Sequence, residues 1–150
     1  MQRSEQAEVS RRPLGWGAGV GVHGPVFRDY FLGHYPLLRT WIGSLVDRMA
    51  IRWQVRVDGP ARLEMVLRQQ GGRLLVNLIN RGAGEALSAN RVIVEELPPV
   101  ENVVLKIRRD TRPQSVTLVP GGRQLAWGHA NGLLSVKVPK VFIHTVVVVE

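Results

Sequence analysis

The hydrophobic period of this chain changes once, at Ala50. Before it, apolar residues recur at helical spacing: Leu37, Leu38, Trp41, Ile42, Leu45, Val46 and Met49. After it, Ile51, Trp53, Val55 and Val57 alternate with Arg52, Gln54, Arg56 and Asp58. Steps of three and four draw a stripe along one side of a helix, whereas steps of two line one face of a strand. Pro36 suits the first turn of that helix, because its missing N–H would have no partner there anyway. The stripe needs a surface to cover it, and Trp41 and Trp53, which lie on apolar stripes, are expected in the core.

Beyond Gly59-Pro60 the period of two continues to the last residue. Leu63, Met65 and Leu67 alternate with polar neighbours, and Gln70-Gly71-Gly72-Arg73 is a hairpin turn into RLLVNLINR. That return strand is almost continuously apolar, which predicts a central position covered on both faces. The loop RGAGEALSAN leads to a predicted strand over 91–94, and Glu95-Glu96-Leu97-Pro98-Pro99 connects it to the next. Further strands are predicted over 100–107, 115–119, 125–127, 133–138 and 141–149. Asn131-Gly132 marks a two-residue hairpin, and the terminal VFIHTVVVV must lie sheltered inside a sheet to escape edge pairing. The predicted fold is mainly β: an antiparallel β-sandwich of about 7–9 strands preceded by one amphipathic α-helix.

With 150 residues and a mean hydropathy of -0.01, the chain can bury a core of its own. It contains no cysteine, so disulfides, zinc–thiolate sites and thiol nucleophiles are excluded. No apolar run is long enough for a membrane span, and the start lacks the apolar core of a signal peptide. A cytoplasmic location is expected. The net charge is +8, with a pI near 11.2, which raises the question of a polyanionic partner. The arginines are scattered, however, and Arg108-Arg109-Asp110-Thr111-Arg112 is the one local cluster. A solvated basic surface is preferred to nucleic-acid binding.

The catalytic inventory is thin. Glu95-Glu96 is the only adjacent carboxylate pair, and neighbours on a strand point to opposite faces. His23, His34, His129 and His144 lack metal-ligand spacing, and neither a nucleophile elbow nor a dinucleotide or P-loop signature is present. No metal, cofactor or catalytic residue is expected. Trp127, His129 and Asn131 could form a sugar-stacking platform beside a hairpin, although a core tryptophan at a strand end is the simpler reading. Arg28, Tyr30 and His34 form a polar-aromatic cluster just before the helix, read as a capping and packing segment. Asn77 and Asn80 interrupt RLLVNLINR. Asn77 is expected to be a structural amide bonded to its neighbours, and Asn80 to end the strand by bonding the turning backbone.

Across HGPVFRDYFLGHYPLLRTWIGSLVDRM and VRVDGPARLEMVLRQQGGRLLVNLINRGAG, the chain resembles the C-terminal end of large glycoside-hydrolase-like proteins. In that group a catalytic (β/α)8 barrel precedes a β-galactosidase-trimerisation-type domain with a glutamine-amidotransferase-like fold, and a β-sandwich closes the chain. Residues 1–17, polar and then broken by glycine and proline, are expected to be a disordered segment, and the resemblance implies a remnant strand and helix of the α/β domain (18–50) followed by the sandwich (51–150). The family's catalytic carboxylates lie on the barrel, so none transfers to a position here. MQRSEQAEVSRRPLGW stands where most of the α/β domain would be, and Met49-Ala50-Ile51-Arg52-Trp53 is an unusual junction. The resemblance therefore implies a truncated gene product with an accessory role, carbohydrate contact, and self-association through the apolar face of helix 36–49.

Overall fold

A computed structural model of the chain describes residues 8–14, 17–49, 51–82 and 97–150. The strand expected over 91–94, and the acidic pair Glu95-Glu96, lie outside the described residues. The chain divides into two units, Met1–Arg52 and Trp53–Glu150.

The first unit contains an antiparallel hairpin of β1 (Glu8–Leu14) and β2 (Gly17–His23), in register from Glu8↔His23 to Leu14↔Gly17. A strand thus occupies 8–14, where the sequence suggested no regular structure. Val9, Ser10 and Arg11 offer weak periodicity, but Val20 and Val22 across the ladder supply the β-branched partners. Two helices follow, α1 (Val26–Gly33) and α2 (Pro36–Arg48), the first of which the sequence pattern did not separate from its flanking loop. Between them, His34 takes a left-handed conformation (φ 48°) and its N–H donates to the Tyr30 carbonyl, which ends α1. Pro36 opens α2 as its first residue. Only Leu45 of the α2 stripe is buried; Leu38, Trp41, Ile42 and Val46 are half-buried and Leu37 is exposed. Phe27, Phe31, Leu32 and Tyr35 are also exposed. The helical segment therefore presents a broad apolar surface.

The second unit is an antiparallel sandwich. One sheet holds, in order, β3 (Val55–Asp58), β6 (Val100–Arg108), β10 (Leu133–Val141) and β9 (Ala126–Ala130). The other holds β4 (Leu63–Gln70), β5 (Arg73–Asn80), β11 (His144–Val149), β7 (Val116–Val119) and β8 (Arg123–Gln124). Leu105, Ile107, Leu134, Val136 and Val138 from the first sheet meet Leu74, Val76, Leu78, Val147 and Val149 from the second in one core. Trp53 departs from its expected place. It precedes the first strand residue and stays 37% exposed, with the Arg56 guanidinium 5.9 Å from its ring. The alternation begins in sequence at Ile51, but strand pairing begins only at Val55↔Ile107.

Two tight turns set the register. Gly71 and Gly72 have φ of 56° and 79°, and Asn131 and Gly132 have φ of 52° and 70°. These are the left-handed pairs that a primed two-residue hairpin demands, closed by Gln70↔Arg73 and Ala130↔Leu133. The run VFIHTVVVV is divided: Val141 ends β10, Phe142 and Ile143 turn outward, and His144 opens β11. β11 then lies at the centre of the five-stranded sheet, between β5 and β7.

Candidate binding sites on the sandwich

The ladder register decides where Trp127 and His129 point. Trp127 pairs with Val136 and His129 with Leu134, and directly paired residues share a face. Val136 and Leu134 are fully buried, so both side chains lie on the core side of edge strand β9. Trp127 is half-buried and packs against the core, and the Arg112 guanidinium stands 5.2 Å from its ring centroid. His129 Nε2 donates to the Arg109 carbonyl at 2.7 Å, whereas Asn131 sits exposed in the turn. The three residues are close in sequence but do not present one open aromatic face. Trp127→Ala should accordingly lower the unfolding free energy by about 2–3 kcal/mol, since a half-buried indole is removed. Urea denaturation checks this, and a stability change under 0.5 kcal/mol would return Trp127 to the surface.

In the first unit Tyr30 and His34 lie one helical turn apart, with ring centroids 5.8 Å apart. Arg28 is exposed and has no ion pair among the described residues. The pair Tyr30–His34 is thus the part of this cluster that forms a contact, at the end of α1.

The two asparagines of β5 fall on opposite faces. Asn77 is half-buried on the outer side, donates to the Val66 carbonyl at 3.2 Å and accepts from His144 Nε2 at 3.2 Å. It links β4, β5 and β11 across the outer surface. Asn80 faces inward and is 5% exposed. Its Nδ2 donates to the Phe142 carbonyl at 2.7 Å and the Pro98 carbonyl at 3.0 Å, and its Oδ1 accepts from the Gly82 N–H at 3.0 Å. Three separate chain segments meet at this one amide.

A concave feature that sequence reasoning missed lies at the edge of the four-stranded sheet. β9 begins at Ala126, opposite Lys137, so β10 beyond Lys137 loses its partner on that side. On its other side the ladder skips Pro139↔Asn102, where Asn102 is left-handed with φ of 56° and interrupts the regular pleat of β6. Arg123 and Gln124 approach along the crossing from β8 through Leu125 to β9. The resulting cleft has a volume of about 400 Å³ and is lined by Asn102, Arg123, Gln124, Ala126, Lys137 and Pro139, among others, with no carboxylate. The cleft continues onto a basic surface. Arg56 pairs with Lys106, Arg108 lies two residues along β6, and Lys137 pairs with Val104, all on the outward side. Asp58 on β3 and Glu101 on β6, the latter paired with Lys140, are the carboxylates among the outward positions of those two strands. The cluster Arg108–Arg112, by contrast, disperses: Arg108 faces outward, Arg109 reaches toward the Val149 carbonyl and Arg112 covers Trp127.

The fold resembles part of a fucosidase. The structure superposes on the α-L-fucosidase isoenzyme 2 from Paenibacillus thiaminolyticus with a TM-score of 0.72 and 23% sequence identity. The match covers 88% of this chain, more than residues 53–150 alone can supply, and 20% of that enzyme. The chain therefore spans about one fifth of the length of the fucosidase it matches. No family model matches the sequence, and no curated protein matches it. At this level of identity the likeness establishes a shared fold.

Among the described residues no group of three histidine, aspartate or glutamate side chains is arranged to hold a metal ion. Several carboxylates are engaged singly: Glu64 with Arg81 at 2.7 Å, Glu150 with Arg73 at 2.7 Å and Glu101 with Lys140 at 3.5 Å. No described helix is long and apolar enough to cross a membrane.

Proposed function

We propose that this chain is a non-catalytic accessory β-sandwich domain of a glycoside-hydrolase-like protein, a cytoplasmic gene product carrying the C-terminal part of such an architecture. The supporting observation is the backbone likeness to one fifth of a fucosidase, extending beyond the sandwich into the preceding segment. In this reading β2, α1 and α2 are the remnant of a trimerisation-type α/β domain. Their exposed side chains Phe27, Phe31, Leu32 and Leu37 are the surface through which the unit associates, with itself or with a catalytic partner. Among the described residues the carboxylates that form ion pairs are engaged singly, which fits a supporting role, because glycoside hydrolysis needs two of them flanking one bond. The cleft at the sheet edge has none in its lining.

The reading is tested on the purified chain and on its gene. Turnover of aryl glycosides, aryl α-L-fucoside included, is expected to equal the buffer blank. The DNA upstream of the Met1 codon is expected to encode a barrel in the same frame. Saturable turnover by the chain alone would overturn the non-catalytic assignment, and unrelated upstream sequence would remove the parent.

A further inference from the structure

We propose that the cleft between β8, β9 and the Pro139 end of β10 binds a saccharide through a carboxylate, as in a uronic-acid unit. The choice of a saccharide rests on the glycoside-hydrolase reading above; the anionic requirement rests on the cleft alone. Arg123 and Lys137 both line it, and among the described residues neither has an ion pair. Two cations with no carboxylate in the lining leave an unneutralised site for one anionic group. The guanidinium of Arg123 supplies the planar fork that holds a carboxylate by two parallel hydrogen bonds, and Lys137 adds a point charge.

The remaining lining suits a ligand with hydroxyl groups around that charge. The amides of Asn102 and Gln124 each offer both donors and an acceptor, which is what alternating sugar hydroxyls require. The free edge of β10 after Lys137 adds the Pro139 carbonyl as a main-chain acceptor, because no strand pairs with it there. Ala126, Val104 and Pro139 give small apolar surfaces between the polar groups. A volume of about 400 Å³ falls within the range of small-ligand sites, roughly 300–1,000 Å³. No aromatic ring lines the cleft, so stacking, the usual source of affinity for neutral sugars, is missing. Charge must then supply the selectivity. The distortion that opens the cleft comes from Asn102 and Pro139 facing each other, so the site is part of the sheet's geometry rather than a gap between mobile side chains.

The test uses the full chain and amide NMR, with digalacturonic acid, digalactose, acetate and inorganic phosphate as probes. Digalacturonic acid is expected to shift the amides of Asn102, Gln124, Ala126 and Val138 saturably, and to bind at least tenfold more weakly at high salt. Digalactose is expected to give no saturable shift. Arg123→Gln with Lys137→Gln should weaken the uronate about tenfold or more, because two charge-assisted contacts are lost. Both residues are exposed, so the fold survives the change. No saturation with the uronate, unchanged binding in the double variant, or acetate and phosphate binding as tightly as the uronate would each overturn the proposal. These failures leave the accessory-domain reading standing, since that reading is decided by turnover and by the upstream reading frame.

Discussion

Replacing Asn80 by alanine should lower the unfolding free energy of the sandwich by about 2–4 kcal/mol, and the midpoint of thermal unfolding by roughly 10–30 °C. The side chain makes three hydrogen bonds to backbone groups of Gly82, Pro98 and Phe142, and it is almost wholly removed from water. Each neutral hydrogen bond is worth about 1 kcal/mol net, and more when its loss leaves a group unpaired away from water. The backbone adds a fourth tie, since the Asn80 N–H donates to the Ile143 carbonyl at 2.8 Å. Asn80 therefore joins the end of β5, the entry to β6 and the bend between β10 and β11. Asn80→Asp is expected to cost more than alanine at neutral pH, because a carboxylate oxygen would face two carbonyl oxygens where a donor stood. Asn77→Ala is the internal control. Asn77 makes two longer bonds on the half-buried outer side, and its loss should cost about 1 kcal/mol or less. Calorimetry on the three variants tests this ordering, and equal losses at the two asparagines would refute it.

The mainly β fold was legible because period two survives from Val55 to the C-terminus, and because Gly71-Gly72 and Asn131-Gly132 announce their turns. Less could be read where local sequence competes with long-range pairing. VFIHTVVVV reads as one strand, but the bend at Phe142-Ile143 depends on Asn80, more than sixty residues earlier. Trp53 lies on an apolar stripe that the sheet does not extend to, because the partner strand ends its pairing at Val55. The N-terminal strand β1 needs the valines of β2 to exist, and no residue of β1 by itself signals them.

The same limit applied to the surface. Arg56, Lys106, Arg108 and Lys137 look scattered along the chain, yet three strands in register bring them to one side of one sheet. The signal was available in part, since each cation alternates with an apolar neighbour, but which strands pair is a tertiary fact. The cleft was further out of reach. It arises from a missing ladder rung at Pro139 and Asn102 and from the late start of β9, neither of which has a motif. Trp127 was the reverse case. Its position by a hairpin made it visible, and the register then turned it toward Val136 and the core.

Leu78→Ala should destabilise the sandwich by about 3–4 kcal/mol, the largest loss expected from any single truncation in β5. Leu78 is 0% exposed and sits on the inner face of a strand paired on both sides, Met65 across one ladder and Thr145 across the other. Removing its isobutyl group leaves a cavity that two flanking ladders hold open, so the transfer and cavity terms add. Leu75, three residues earlier, has the same chemistry but points the other way. It is half-buried on the outer surface, and Leu75→Ala should cost only about 1 kcal/mol. A slip of one residue in the β4–β5 hairpin would exchange the two faces, and with them the two costs. Urea unfolding of the two variants therefore tests the register as well as the packing. Similar losses for Leu75 and Leu78 would mean that the outer face of the five-stranded sheet is as deeply covered as the core, and would point to a partner seated on it.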